Sequence, residues 1–207
     1  MIWHQVLGMA EAPYHHPAAV APLAGNLALP NRSAAAVVGY RAQLQRILTE
    51  CWRVLAPQGI CVFTYHHTSA AAWGALGEAL ARSGLRCTAV LPLRGEGRGL
   101  HSYHGTIKWD AVFVCRKDRP PPAGAHQQAV VVPTQALLEA TRTAHVYEQR
   151  LARHERIAFR TPDLSNLQRA LLVSAAVVGL PDQTVLTLPA ALAALGTQGE
   201  THHAQAR

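Results

Sequence analysis

Trp52-Arg53-Val54-Leu55-Ala56-Pro57-Gln58-Gly59-Ile60-Cys61-Val62-Phe63-Thr64-Tyr65-His66-His67 holds the end of a helix, a tight turn and an apolar strand that finishes in two histidines. Pro57 and Gly59 are turn formers directly after a helical pattern. Ile60 to Tyr65 is a short β-branched and aromatic run, the composition of a strand covered on both faces. In an open α/β sheet, ligands bind in the loop beyond a strand's carboxyl end. His66 and His67 stand there.

Upstream, the first thirty residues are rich in Pro, Ala, Gly and His, and only Ile2 to Met9 suits a strand. Ser33 is an N-cap candidate for a helix running to about Leu55. Val37, Tyr40, Leu44, Ile47, Leu48, Cys51, Trp52 and Leu55 recur at helical spacing, which predicts one face buried against something larger than a partner helix. Arg41, Gln45, Arg46 and Glu50 face away from it.

Downstream, Ser69 caps a second helix with Trp73, Leu76 and Leu80 on one face and Gly84 at its stop. Arg86 to Leu93 reads as a second strand, Gly95 to Gly105 as a glycine-rich loop, and Ile107 to Cys115 as a third strand ended by Arg116-Lys117-Asp118. Helices alternating with buried strands imply a parallel sheet. The last two strands, joined without a helix, are either antiparallel neighbours or linked by a loop crossover. Pro120-Pro121-Pro122 is a stiff break. Beyond it, Thr134 to about Ala158 is predicted helical, with Leu137, Leu138, Thr141, His145, Glu148 and Leu151 along one side. Asp163 or Ser165 caps another helix through Val178, and a short helix covers Pro189 to Leu195.

The chain has 207 residues, 49% hydrophobic and 15% charged, enough to bury one core of ordinary size with a small appendage. It contains no charge-free apolar run of about eighteen residues and no basic-then-apolar secretory pattern. A cytoplasmic protein without a membrane partner is expected. Cys51, Cys61, Cys87 and Cys115 each sit in an apolar pattern and none forms a C-x-x-C pair, so reduced core thiols are expected rather than zinc ligands or disulfides. Twelve histidines fall in no H-E-x-x-H or comparable spacing, and no metal is expected. The net charge is +7, and only Lys108 and Lys117 are lysines. Arginine forks suit phosphate, which points to a nucleic-acid or nucleotide partner; general use of arginine in place of lysine is the alternative. No Ser-His-Asp or Cys-His grouping offers a nucleophile in a recognisable context.

The long helix, the R-V-L-A-P-Q-G turn, the strand ending F-T-Y-H-H, the helix containing Trp73 and the stretch Gly105-Thr106-Ile107-Lys108-Trp109-Asp110-Ala111-Val112-Phe113-Val114-Cys115-Arg116-Lys117 together resemble the C-terminal half of S-adenosylmethionine-dependent DNA methyltransferases, above all the adenine-specific DNA methylases of bacteria and archaea. The resemblance spans roughly residues 32 to 118 and, more loosely, 134 to 195. It implies an α/β fold, the second half of a Rossmann-like methyltransferase sheet with its final two strands as an antiparallel edge hairpin, plus a C-terminal helical extension. The implied division is a partial catalytic domain at 1–118, a linker at 119–133, the extension at 134–195 and a disordered tail at 196–207.

The family's Asp-Pro-Pro-Tyr motif stands at the carboxyl end of a strand upstream of the long helix, where it orients the target amino group and stacks on a flipped base. The corresponding place here reads Glu11-Ala12-Pro13-Tyr14; Pro13 and Tyr14 match, Ala12 replaces a proline, and Glu11 lengthens the acceptor by a methylene. The resemblance makes these four the catalytic candidates and His66 and His67 a polar rim on the cofactor or base pocket. Arg94, Arg98 and Lys108, with His101 and His104, are DNA-contact candidates. Trp73 and Trp109 are read as packing residues. The glycine-rich strand-turn-helix that binds S-adenosylmethionine has no counterpart in this sequence. Gly95-x-Gly97-x-Gly99 superficially resembles it but joins two strands and opens no helix. The expected activity is therefore adenine methylation of DNA together with a complementary methyltransferase chain, and the exposed edge of a half-sheet predicts such a partner or self-association. A degenerate remnant or DNA-binding accessory subunit is the alternative, and a small-molecule methyltransferase relative a third.

Overall fold

The computed structural model of the chain describes residues 34–95, 107–118, 120–121, 128–155, 159–179 and 184–195. Helix α1 (Ala34–Val54) leads through a Pro57-containing turn, closed by Gly59 N–H donating to Ala56 O at 2.8 Å, into strand β1 (Ile60–Tyr65). Both lie where the sequence pattern predicts them. Helix α2 (Ala70–Arg82) follows, with Ser69 extended at the N-cap position and Gly84 at φ 82°, a left-handed conformation that any side chain would strain. Ser69 differs from expectation in one respect: its hydroxyl makes no capping bond.

Strands β2 (Leu85–Arg94) and β3 (Trp109–Lys117) complete a three-stranded sheet in the order β1-β3-β2. The third strand begins two residues later than its predicted start at Ile107. β3 is antiparallel to both neighbours, from Ile60 opposite Arg116 to Tyr65 opposite Ala111, and from Leu85 opposite Lys117 to Arg94 opposite Trp109. The expectation of a parallel sheet is thereby corrected. β1 and β2 run in the same direction, as their helical crossover requires, but the returning strand of the hairpin is inserted between them.

All the helices packed on this sheet share one face. There Phe63 stacks on Phe113 at 5.0 Å, Tyr65 meets Trp73 edge-on at 4.8 Å, and Trp73 leans on Phe113. The Tyr40 hydroxyl of α1 donates to the Tyr65 hydroxyl at 3.0 Å, and Tyr65 in turn donates to Ala72 O of α2. Lys117 at the end of β3 donates to Leu55 O at 2.8 Å and lies over the Trp52 ring, a cation at the carboxyl end of α1. The opposite face is open. Ile60 and Val62 are 50% and 57% exposed, Leu91 and Leu93 44% and 51%, so the expectation that β1 is covered on both faces is wrong for the described residues. On α1, Ile47, expected on the buried face, is 45% exposed beside the well-buried Leu48.

The described residues beyond β3 join the same core. Strand β4 (Val130–Pro133), helix α3 (Thr134–Glu155), helix α4 (Thr161–Ser174), strands β5 (Val177–Val178) and β6 (Val185–Thr187), and helix α5 at 188–195 follow in order. Their strands form a second antiparallel sheet, β5-β4-β6. Val130 to Val132, in the segment read as linker, are buried in it. α4 ends at Ser174 rather than Val178 because Val177 and Val178, β-branched, pair with β4 instead. α3 buries an alanine stripe, Ala136, Ala140 and Ala144, while Leu138 is 57% exposed. Leu76 and Leu80 of α2, Leu172 and Val173 of α4, Val132 and Leu188 belong to one hydrophobic cluster. Gly77 lets α2 and α5 approach: a Cβ there would stand 2.6 Å from Leu188 Cδ2.

Candidate functional site

The carboxyl end of β1 and the amino end of β3 lie side by side, so the two motifs that carry the family resemblance meet at one rim of the sheet. The alternation of a strand sends adjacent side chains to opposite faces, and His66 and His67 part accordingly. His66 Nδ1 stands 2.6 Å from Asp110 Oδ1, with the imidazole 57% exposed at the open face. That contact needs the proton on Nδ1, which leaves Nε2 to accept from a ligand when the ring is neutral and to donate when it is charged.

His67 points into the structure and is held from three sides. Its Nδ1 accepts from Ser69 N–H at 2.8 Å, its carbonyl accepts from Trp73 Nε1 at 2.8 Å, and its own N–H donates to Asn166 Oδ1 at 3.2 Å. Burial depresses its pKa below the ordinary imidazole value, and His66 and Arg169 add to this. His67 thus ties the loop after β1 to α2 and α4.

Two residues outside the sequence-based candidates organise this rim from α4. The buried Asp163 carboxylate accepts from the backbone N–H groups of Lys108, Trp109 and Arg160. Asn166, also buried, receives His67 N–H and donates to Trp109 O at 3.0 Å, bridging the ends of β1 and β3. Arg169, one turn on, donates to Thr68 O at 2.9 Å. Asp163 acts at the third position of the helix and not as its cap: its carboxylate reaches back to the N–H of Arg160, the N-cap residue. The signal available in sequence was Asp163 and Asn166 three apart in the first turns of a helix, hence on one face.

Arg94 and Lys108 are exposed at the same end of the sheet, Arg94 opposite Trp109 in register and Lys108 with its carbonyl accepting from Gly95 N–H at 2.9 Å. Trp73 and Trp109 are packing residues, as expected: both are buried, and Trp109 lies against Phe159 at 4.8 Å. Glu11, Ala12, Pro13, Tyr14 and Arg98, with His101 and His104, lie outside the described residues. Among the described residues no group of three or more His, Cys, Asp or Glu is arranged to hold a metal, and no helix is long and apolar enough to cross a membrane. The four cysteines are free thiols.

A cleft of 480 Å³ opens at the end of the sheet opposite the His66 rim, between Leu80, Arg86, Cys87, Asp118 and Ala175, and a 300 Å³ groove runs between α1, α2 and α5 past Val38, Arg41 and Glu78. Neither includes His66 or His67. The rim can orient an anionic or hydrogen-bonding ligand through Nε2 of His66, with Arg94 and Lys108 exposed at the same end of the sheet. No protein-family model, curated protein or solved structure matches this chain.

Proposed function

We propose that this chain is the target-base half of an S-adenosylmethionine-dependent, adenine-specific DNA methyltransferase, with a Rossmann-like half-sheet completed by a complementary methyltransferase chain. The observation that carries the reading is the meeting of its two narrow motifs. F-T-Y-H-H and K-W-D-A-V-F-V-C-R-K are neighbouring strands, paired over six positions, and they converge on the 2.6 Å contact between His66 and Asp110.

Three features support it. The β2-β3 hairpin stands at a sheet edge, as the resemblance implies. Among the described residues nothing pairs with the outer edge of β1. Finally, α1 lies on the same face as the β1-α2-β2 crossover. Such crossovers are right-handed, so a strand feeding α1 would run parallel to β1 at that free edge, its carboxyl end beside His66. By resemblance this is the position of Glu11, Ala12, Pro13 and Tyr14. Pro13 and Tyr14 would hold the flipped adenine, Glu11 would accept from its amino group, His66 and His67 would line the pocket, and Arg94, Arg98 and Lys108 would contact phosphate. Methyl transfer needs no protein nucleophile, because the sulfonium is already a reactive donor and the protein positions it.

A second reading, a non-catalytic remnant or DNA-binding accessory subunit, rests on Glu11 and Ala12 standing in place of Asp and Pro. One experiment separates them. The purified chain is mixed with the product of an adjacent methyltransferase-like gene and assayed for tritiated methyl transfer to adenine in duplex DNA. Transfer that needs both chains and is lost in Tyr14→Ala is expected. Tight binding of labelled S-adenosylmethionine by this chain alone would overturn the split arrangement, and absence of transfer with a folded pair would favour the remnant.

A further inference from the structure

The four cysteines, scattered in sequence, form one row on the helix-covered face of the first sheet. Cys61, Cys115 and Cys87 are directly opposite one another across β1, β3 and β2, so Cys115 has Cys61 on one side and Cys87 on the other. The Cys87 thiol donates to Ala89 O at 3.3 Å. Only the Cys87–Cys115 couple combines a buried thiol with one on the wall of a cleft. Cys115 is fully buried, while the half-buried Cys87 lines the 480 Å³ cleft beside Arg86, Asp118 and Ala175.

Opposed residues of an antiparallel pair have Cα atoms about 4.5–5.5 Å apart, inside the window of about 4.4–6.8 Å that a disulfide spans. The couple is therefore bridgeable without moving the strands. The neighbouring Cys115 holds the Cys87 pKa below the ordinary thiol value against the effect of burial, and Cys87 together with burial pushes Cys115 up. Burial pushes Cys61 up as well. The thiolate is the nucleophile in thiol oxidation, so the cleft-lining member of the couple is the one prepared to react.

We infer that Cys87 and Cys115 form a hydroperoxide-reactive couple, Cys87 being the thiol oxidised and Cys115 the thiol that resolves it. The Cys87 thiolate attacks the near oxygen of the hydroperoxide and the O–O bond breaks. Cys87 becomes a sulfenic acid, and the leaving oxygen takes a proton as water or an alcohol. The Cys115 sulfur then attacks the Cys87 sulfur, the S–O bond breaks, and the hydroxyl leaves with the Cys115 proton as a second water. Two electrons pass from the couple to the hydroperoxide, and one disulfide staples the β2-β3 hairpin. This inference is independent of the methyltransferase reading.

Trypsin cleavage after Arg86, Arg94, Lys108 and Arg116 puts Cys87 and Cys115 on separate peptides, Cys87–Arg94 and Trp109–Arg116. The reduced full chain, treated with equimolar hydrogen peroxide and digested without reductant, should yield these two peptides joined and lose two of its four thiols. In Cys115→Ser, dimedone should label Cys87; in Cys87→Ser the cross-link should vanish. Unlinked peptides from the oxidised wild type, a bridge at Cys51–Cys61 or Cys61–Cys115 instead, or dimedone on another cysteine would each overturn the assignment. The wild-type peptide map decides the matter even where a serine variant fails to fold.

Discussion

The two faces of the three-stranded sheet are built from the same strands and similar residues, yet one is a core and the other a surface. On the covered face, Phe63, Tyr65, Phe113 and Cys115 meet α1 and α2, with Trp73 filling the centre. On the other, Ile60, Val62, Leu91 and Leu93 carry comparable apolar bulk into solvent. The edges repeat the contrast. β2 receives a hydrogen bond from α3, whose Tyr147 hydroxyl donates to Val90 O, whereas among the described residues β1 has no outer strand neighbour. Natural sheets guard free edges with charge, proline or bulges; Ile60–Tyr65 has none of these, while the only register shift lies in β2, between Cys87 and Ala89. An unguarded edge beside an apolar face is the signature of a surface meant to be covered.

The most severe way to break the contrast is to truncate one residue on each face. Phe113→Ala should cost about 3–5 kcal/mol, and Val62→Ala, on the open face of the adjoining strand, within about 0.5 kcal/mol, read from urea midpoints. Equal losses would mean that the open face is buried in solution. Asp163→Ala strands the N–H groups of Lys108 and Trp109 and should cost about 2–3 kcal/mol. Hydrogen exchange should then quicken at the amino end of β3 before it does at Phe113. A uniform loss of protection would show that α4 supports the whole sheet and not its rim.

The smallest effect is that of pH. His67 has its pKa depressed from the ordinary 6.5 by burial, then by His66 and Arg169, so the unfolded chain binds the proton more readily. Its contribution is fully present above pH 6.5 and declines as pH falls through the folded value. The denaturation midpoint of the wild type should drop on acidification from pH 7 to pH 5, and His67→Gln should flatten that slope. An unchanged slope would locate the proton uptake in another histidine.

Much of the local structure was legible in the residues. Pro57 and Gly59 bracket β1 because turn chemistry acts within a few positions, and Gly84 ends α2 for the same reason. The insertion of β3 between β1 and β2 was not legible, since a hairpin and a crossover share one sequence pattern whichever edge the returning strand takes. The open face was hidden for a related cause: Ile60 and Val62 are as apolar as Cys61 and Phe63, so no alternation marked which set faces solvent. Asp163 and Asn166 act on backbone groups more than fifty residues away, and nothing local to His67 announced its bond to Asn166. In α3 the buried stripe is alanine, which reads as a neutral helix former rather than a core residue.

The placement of β3 at the centre of its sheet also dictates an order of events at the ribosome. Among the described strands β1 and β2 are not neighbours, and their shared partner β3 becomes available only when the segment from Trp109 onward has been synthesised, roughly fifty residues after β1, a closure whose entropy is modest but whose waiting time is not. During that interval α1, β1 and α2 emerge with an unguarded apolar strand on display. Chain elongation, more than any single contact, sets how long this protein is exposed to mispairing.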